Sequence, residues 1–539
     1  MINNNQIQEA LINGSDTVSQ INSEDDHSNQ QGTSSNIHKR KSDASFLQKI
    51  SFDEALKQVG AENWYQIRAF LYFSMQWFFA AWILLGSQFI LFPAEFDSDF
   101  CGDLSNEDCQ EKVCKQEDPL QYMTNKDTSM IGTFNLVCDN TKISIIQSVP
   151  YLGSLIGFFL FSWIADNKGR RIALGISWLL ASLGALLLAL SWDYYSATIG
   201  FFIAGFGVNP AITVQLSLLS EHSIGKIREY TTIGVQVFYG IGECVMVGIA
   251  YAVPNWRHLT LYFLAIPMLL INFGIFLVYE SPKFVYERNT FDAFEILNKI
   301  AVVNKKESLK VNTLMSVIKE KSENSFSVIH LFKYSSLRLK TIFSCLIFFS
   351  IQAVYYGVTF AMSKIGLDLY KNTIIISSAE TLAYLTTDHF IPKIKRKWTT
   401  LIGLIICCVL SLCYQFLKTP SDCDMCTMVI IQIVFAAIIR FSICFVWTVV
   451  YMYMTELFPT VVKSLALGII SASGTIGSTA APYIGNVSTA IGVSPMISLG
   501  VLGLVGVAST IPLKETLGQP LQNQIEELQS EEDKIILIK

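Results

Sequence analysis

Three ionisable residues lie inside long apolar segments of this chain: Glu243, Glu380 and Arg440. A charge at the centre of a lipid bilayer costs about 2.5–3.5 kcal/mol on insertion scales, so such a residue usually faces a cavity and has a function. Glu380 and Arg440 could face each other across a cavity, whereas Glu243 could receive a proton or an organic cation. If all three are ionised, their charges sum to −1, which favours a cation or a zwitterion as the solute.

Each of these residues also has a structural alternative. Glu380 and Arg440 could form an ion pair that never meets a solute. Glu243 could point toward a neighbouring helix and stay uncharged, because burial disfavours the ionised form of a carboxyl group.

A second set of charged residues recurs at the ends of apolar segments. Glu221 ends the fourth segment and Glu456 ends the tenth, and a basic residue follows each acid seven positions later. Basic turns follow the second and eighth segments. Such a network can close one face of a carrier and come apart when its halves rock, although the bases could instead only set topology. The candidates for this inner gate are Asp166, Gly169, Arg170, Arg171, Glu221, Arg228, Arg396 and Glu456.

The composition requires that membrane helices position these residues. Of the 539 residues, 51% are hydrophobic and only 15% are charged, whereas a soluble domain carries about 25% charged residues. The net charge of −5, without a basic stripe, argues against a nucleic-acid partner. The sequence contains no nucleotide loop, metal-binding helix pair or catalytic arrangement, so we expect no enzyme, no cofactor and no ATP hydrolysis.

Scanning for apolar segments of about 20 residues gives twelve candidate spans. We therefore predict an all-α membrane protein with two six-helix bundles. The spans lie near 69–92, 144–165, 172–191, 196–219, 231–253, 259–279, 341–362, 373–391, 399–417, 428–453, 464–485 and 492–512. The predicted domains are a disordered cytoplasmic tail (1–45), an N-terminal bundle (46–279) with an external loop (93–143), a cytoplasmic linker (280–340), a C-terminal bundle (341–513) and a C-terminal cytoplasmic tail (514–539).

The placement of Lys and Arg predicts the orientation. With the N-terminus inside, most of the 39 basic residues lie on the cytoplasmic side. The acidic loop after span one then lies in an oxidising compartment, and its four cysteines, Cys101, Cys109, Cys114 and Cys138, predict two disulfides with three possible pairings. Cys423 and Cys426 could form a third disulfide, and a metal site is the alternative for these cysteines.

Several motifs, taken in order, resemble the organic cation, anion and zwitterion transporters of solute carrier family 22, within the major facilitator superfamily. The resemblance runs from about residue 52 to residue 520. It is carried by F-D-E-A-L at 52–56, N-L-V-C-D at 135–139, D-N-K-G-R-R at 166–171, W-R at 256–257, E-S-P-K-F at 280–284, Y-Y-G at 355–357, E-L-F-P-T at 456–460 and K-E-T-L-G-Q-P at 514–520.

This resemblance implies a major facilitator fold and adds candidate residues to the cavity. Glu380 and Arg440 match charged positions of the family, whereas relatives usually have an apolar residue in place of Glu243. Thr475 stands where cation carriers tend to have Asp and where anion or zwitterion carriers have Arg. Because Thr is uncharged, this position does not indicate the charge of the substrate. The full set of candidate substrate-binding residues is Gln147, Gln236, Glu243, Tyr355, Tyr356, Glu380, Arg440 and Thr475.

The resulting hypothesis is a secondary transporter of small organic ions, with protons as a further option for coupling. We expect a monomer in the lipid bilayer of the plasma membrane, and an internal organelle membrane is the alternative. Pro392 and Lys395 replace the Asp and Gly that are usual in the loop after span eight. Because of this departure, a receptor or scaffold that binds solute without moving it remains an alternative function. A sugar transporter of the same superfamily is the third alternative.

Overall fold

In a computed structural model of the chain, the described residues are 52–60, 62–102, 106–309, 328–361, 368–390, 395–417, 427–459 and 462–517. Twelve helices form the body of the protein in these ranges. They are α1 (Trp64–Leu85), α2 (Asn140–Lys168), α3 (Arg170–Ala189), α4 (Tyr194–His222), α5 (Gly225–Ala252), α6 (Trp256–Leu277), α7 (Ser335–Ala361), α8 (Leu369–Phe390), α9 (Arg396–Cys413), α10 (Thr427–Leu457), α11 (Lys463–Ala490) and α12 (Pro495–Thr510). The predicted tail 1–45, Cys423 and Cys426 lie outside the described residues.

All twelve predicted spans correspond to one of these helices, but their lengths differ. Ten of the helices are long and apolar enough to cross a membrane, judged over the described residues. The other two are α8 and α12. Buried polar residues such as Ser377, Glu380 and Thr387 lower the hydropathy of α8, and α12 has only 16 residues.

Several helix ends differ from the predicted boundaries. Helix α1 spans 64–85 rather than 69–92, because Gly86 separates it from a short helix, Ser87–Ile90. Helix α7 begins at Ser335, inside the predicted linker. The π-helical turn Leu261–Ala265 interrupts α6, and the 3-10 turn Phe273–Leu277 forms its last turn.

Helices α1–α6 form one half of the protein and α7–α12 form the other. The halves meet where α2 packs along α11 and α5 packs along α8. Gly240 of α5 lies so close to Thr381 of α8 that a Cβ atom would collide with the threonine side chain. Small residues permit this kind of close helix packing inside membranes, where a hydrophobic driving force between helices is lacking.

A compact loop module lies at one end of the helices, hereafter the loop end. Cys101 is bonded to Cys109, and Cys114 is bonded to Cys138. Beneath the loop is a small apolar core that includes Met130 and Trp256. Asp139 caps α2, and the hydrogen bond that its carboxylate accepts from the backbone N–H of Lys142 (3.0 Å) holds the pKa of this carboxyl below its usual value.

The opposite end, hereafter the linker end, carries a second small core. It joins the helix Phe52–Gln58 to the linker helices Pro282–Arg288 and Thr290–Val303. Asn304 follows the last of these helices, and its amide nitrogen donates to the carbonyl oxygens of Val59 (3.0 Å) and Gly60 (2.7 Å). Its Oδ1 accepts from the backbone N–H of Tyr65 (2.8 Å), so one buried asparagine caps α1 from 239 residues away.

Candidate functional site

Arg440 lies near the middle of α10 and is fully buried. Its Nε donates to Oε2 of Glu380 on α8 (2.7 Å), and its Nη1 donates to Oγ1 of Thr359 on α7 (2.7 Å). The guanidinium carbon lies 3.8 Å from the ring centroid of Tyr355, which is a favourable position for a cation over an aromatic face. Helices α7 and α8 of the C-terminal half therefore hold this arginine of α10.

Glu380 is equally buried and has a complete set of donors. The Tyr355 hydroxyl donates to its Oε1 (2.9 Å), and so does the Tyr384 hydroxyl (2.9 Å). With Arg440 on Oε2, both carboxylate oxygens are hydrogen-bonded. A buried ion pair is tolerated when its remaining polar atoms are satisfied in this way.

Glu243 approaches the same arginine from the other half of the protein. It lies on α5, and its Oε2 is 3.7 Å from Nη2 of Arg440. Its residue exposure is 0%, and neither carboxylate oxygen accepts a hydrogen bond from any described residue. Two acids, one from each half, therefore share one guanidinium.

Two further contacts between the halves surround this charged cluster. Gln236 lies two helical turns from Glu243 on the same face of α5, and its Oε1 accepts from Oγ1 of Thr448 on α10 (2.9 Å). The ring of Tyr356 lies 4.5 Å from that of Tyr151 on α2. Most of the candidate substrate-binding residues are thus brought together between α2, α5, α7, α8 and α10.

The remaining two candidates lie apart from Arg440. Gln147 is partly buried one turn before Tyr151 on α2, and within the described residues it makes no hydrogen bond or ion pair with the Arg440 cluster. Thr475 is buried on α11, and its hydroxyl donates to the carbonyl of Ser471 in the same helix (3.0 Å).

The sequence analysis missed four residues of this cluster and its surroundings, Thr359, Tyr384, Tyr151 and Thr448. Tyr384 is four residues after Glu380, and Thr359 is four residues after Tyr355, so helical spacing could have pointed to both. Tyr151 is likewise four residues after the candidate Gln147, but only the tertiary contact of its ring with Tyr356 brings it to the cluster.

At the linker end, Arg170 begins α3 and its Nη2 lies 3.2 Å from Oε1 of Glu221 at the end of α4. Oε1 of Glu280, which follows α6, accepts the backbone N–H groups of Arg170 (2.9 Å) and Arg171 (3.1 Å). Gly169 precedes them with φ +113°, and a Cβ there would collide with the Glu280 carboxylate.

The C-terminal half repeats this arrangement. Arg396 begins α9, and its Nη2 lies 3.3 Å from Oε1 of Glu456 at the end of α10. Oε1 of Glu515, which follows α12, accepts the backbone N–H of Arg396 (2.8 Å). Thr516 donates to Oε2 of Glu456 (2.6 Å). Glu280 and Glu515 were also missed, although each stands in a recognised motif, Glu-Ser-Pro or Glu-Thr-Leu, just after the sixth span of its half.

Two predicted gate residues have other positions. The side chain of Asp166 is exposed, and its backbone carbonyl accepts from Nη2 of Arg288 (2.7 Å). Nε of Arg228 donates to the carbonyl of Ser220 (2.9 Å), and its Nη2 lies 3.6 Å from Asp53. Glu221 therefore pairs with the start of α3 and not with the base seven positions after it.

Aromatic side chains join the two halves at the loop end. The ring of Tyr370, at the start of α8, stacks on Phe89 (5.6 Å between centroids) and on Phe92 (5.4 Å). In the separate contact between α2 and α11, the hydroxyls of Ser148 and Tyr483 lie 3.1 Å apart. These contacts close the loop end of the interface, whereas the Arg170 and Arg396 ion pairs each lie within one half.

Known proteins resemble this chain over most of its length. The sequence profile of the family described as "Sugar (and other) transporter" matches residues 84–528. Human solute carrier family 22 member 13 is 26% identical over 76% of this chain and 73% of its own length. Organic cation transporter 1 of Caenorhabditis elegans is 27% identical over 75% of this chain and 69% of its own length. These relatives confirm the resemblance to solute carrier family 22.

A solved structure shows the same fold. The major facilitator proton:xylose symporter XylE superposes with a TM-score of 0.58 over 86% of this chain and 98% of its own length, at 16% identity. The two-bundle architecture predicted from the apolar segments is therefore confirmed.

Proposed function

Because this chain belongs to the sugar (and other) transporter family of the major facilitator superfamily, a family of membrane carriers and not of enzymes, we propose that it moves small organic ions by alternating access. A cation or a zwitterion is the favoured substrate. The name of one relative supports an organic ion, since organic cation transporter 1 of Caenorhabditis elegans is similar to this chain.

The observation that carries this proposal is the shared guanidinium of Arg440. A carboxylate from each half approaches it, and the cluster lies between the two bundles that must move relative to each other. A solute that bound there would contact both halves at once, as alternating access around a fixed site requires.

The chemistry of the cluster favours positive charge on the solute. Two carboxylates and one guanidinium sum to −1 when all are ionised, and the rings of Tyr355 and Tyr356 offer aromatic faces to a cation. A zwitterion could place its carboxylate at Arg440 and its ammonium group at Glu243. Residues Gln147, Gln236 and Thr475 would contribute shape and hydrogen bonding.

The two groups of charged residues at the linker end, one in each half, would form the inner gate. They would do so by making each half rigid. In the N-terminal half, Arg170, Glu221 and Glu280 tie α3, α4 and the end of α6 together. In the C-terminal half, Arg396, Glu456 and Glu515 do the same for α9, α10 and the segment after α12. Each bundle would then rock as one unit, with the linker end on the cytoplasmic side of the plasma membrane.

Uptake into liposomes tests this proposal. Purified protein would be reconstituted and offered a labelled quaternary ammonium ion, a betaine and an aromatic carboxylate of similar size. We expect the first or second to accumulate, and we expect Glu380→Gln to reduce that uptake at least about tenfold, which corresponds to about 1.4 kcal/mol of binding free energy.

The matched control is Glu117→Gln, since Glu117 is exposed in the loop and far from the cluster. If the reconstituted wild-type protein binds a panel member but accumulates none, the carrier proposal fails and the receptor alternative replaces it. If the aromatic carboxylate alone is transported, the charge preference is wrong.

A further inference from the structure

The carboxylate of Glu243 has an environment unlike that of its neighbour Glu380. Glu380 accepts hydrogen bonds from Arg440, Tyr355 and Tyr384. Glu243 is buried to the same extent, yet no described residue donates to either of its oxygens, and Arg440 is 3.7 Å away. The nearby hydroxyl of Ser377 donates its proton elsewhere, to the carbonyl of Thr373 (2.8 Å).

The groups that face Glu243 do not supply a second positive charge. Helix α1 presents Phe78 and Trp82 to this part of α5, and the Trp82 indole donates to the carbonyl of Gly242 (2.9 Å). Arg440 is the one cation among the surrounding groups of the described chain, and Glu380 already neutralises it. The titratable groups that interact with Glu243 are Glu380 on α8, Arg440 and Cys444 on α10, and Tyr239 and Cys244 on α5 itself. Tyr355 and Tyr384 lie one step further away, where their hydroxyls donate to Glu380.

Charge balance then restricts which protonation and cation-binding states of Glu243 are possible while the site is buried between the two halves. With Glu380 and Arg440 paired, an ionised Glu243 leaves one net negative charge in a dry interface, which is strongly unfavourable. A proton on the Glu243 carboxylate removes that charge. A monovalent organic cation beside the ionised carboxylate removes it equally well.

We propose that Glu243 is an exchange site at which a proton and a monovalent organic cation compete. The carrier would cross in one direction with the cation beside ionised Glu243 and return with Glu243 protonated. Only the carboxyl O–H bond forms and breaks: its proton enters solution on the side where the cation binds, and a new proton is taken up where the cation leaves. One cation moves for one proton, so no net charge crosses the membrane. This inference rests on the proposed carrier function.

The test uses the full chain in liposomes and the quaternary ammonium ion as probe. With the lumen acidified by about one pH unit, electroneutral one-for-one exchange would accumulate the probe about tenfold at equilibrium. Adding the probe should also raise the luminal pH, and clamping the membrane potential with potassium and valinomycin should leave the accumulation unchanged.

Three substitutions make the test specific. Glu243→Gln keeps the size of the side chain but cannot exchange a proton, so the accumulation driven by the pH gradient should fall from about tenfold to about onefold. Glu243→Asp retains a carboxyl group and should keep part of the pH coupling. Glu117→Gln should behave as the wild type.

The outcomes separate this inference from the carrier proposal. If wild-type protein exchanges labelled for unlabelled probe at equal pH but a pH gradient drives no accumulation, proton exchange is wrong and the carrier function stands. Proton exchange at Glu243 is equally wrong if Glu243→Gln keeps the gradient-driven accumulation. If the probe crosses under no condition, the exchange inference falls, and the carrier proposal falls with it when the betaine is not transported either.

Discussion

At the scale of single residues, the central question is whether Glu380 and Arg440 meet the solute or only each other. Arg440 directs its donors to Glu380, Thr359 and the carbonyl of Tyr355, which is what a structural pair requires. Glu243, however, adds a second carboxylate from the opposite half. A purely structural pair needs no such residue, so the geometry supports a binding role.

A pair of substitutions separates the two roles. Arg440→Gln alone leaves two buried acids without a cation and should lower stability by about 3–5 kcal/mol. Adding Glu380→Gln removes one of those acids and should recover part of the loss. The melting temperature of purified protein in detergent measures this recovery.

Uptake by the double variant then decides the role. If the two residues only hold the helices together, a double variant with recovered stability should also recover transport. If the pair takes part in solute binding as proposed, the double variant should remain at least about tenfold less active than the wild type, because it lacks both the Arg440 guanidinium and the Glu380 carboxylate. Recovery of full uptake would show that the pair is structural.

At the scale of elements, the starts of α3 and α9 show how a helix terminus can organise one end of a bundle. The carboxylate of Glu280 accepts N–H groups at the start of α3, and Glu515 does so at the start of α9. An anion at a helix N-terminus satisfies free donors and complements the helix dipole. The acids therefore tie the last segment of each half to its third helix.

Gly169 allows this contact at α3, and replacing it should be costly. Gly169→Ala would force a Cβ onto a backbone with φ +113° and into the Glu280 carboxylate. We expect a stability loss of about 1–3 kcal/mol, seen as a lower melting temperature in detergent. Gly175→Ala, inside α3, is the control, because its Cβ would make only an ordinary contact with Ile275 (3.5 Å). Equal effects of the two substitutions would contradict the Glu280 contact.

At the scale of the whole molecule, contacts between the halves include the charged cluster, the apolar contact of Ile233 with Val449, and the aromatic contact at the loop end. Tyr370 stacks on Phe89 and Phe92, while the ion pairs of the linker end stay within each half. The proposed alternating access would require this aromatic contact to open during each transport cycle.

Cross-linking this contact should therefore stop transport. Cysteines at Phe89 and Tyr370, joined by a short bifunctional thiol reagent with a reducible spacer, would hold the loop end closed. We expect uptake to fall to the background of empty liposomes and to return after reduction. Each single cysteine variant treated with the same reagent is the control. Undiminished uptake by the cross-linked protein would rule out opening at this position.

Most of the fold could be predicted from the sequence, because apolar segments of sufficient length have few alternatives to membrane helices. Helix α8 shows the limit of that argument, since its polar face is buried against α5, α7 and α10. In the site, Glu380 and Arg440 stood out as charges in apolar surroundings. Glu280 did not, because its partners lie more than one hundred residues earlier and only the packing of α6 beside α3 brings them together.

The core beneath the loop module has a consequence for how this protein can diversify. Its buried residues, among them Met130, Leu188, Phe201 and Trp256, all belong to the N-terminal half. Mutations that remodel the loop can accordingly be compensated within that half, without matching changes in α7–α12. The loop module can thus evolve independently of the C-terminal half. It also offers antibodies and engineered tags an attachment site that moves with the N-terminal bundle only.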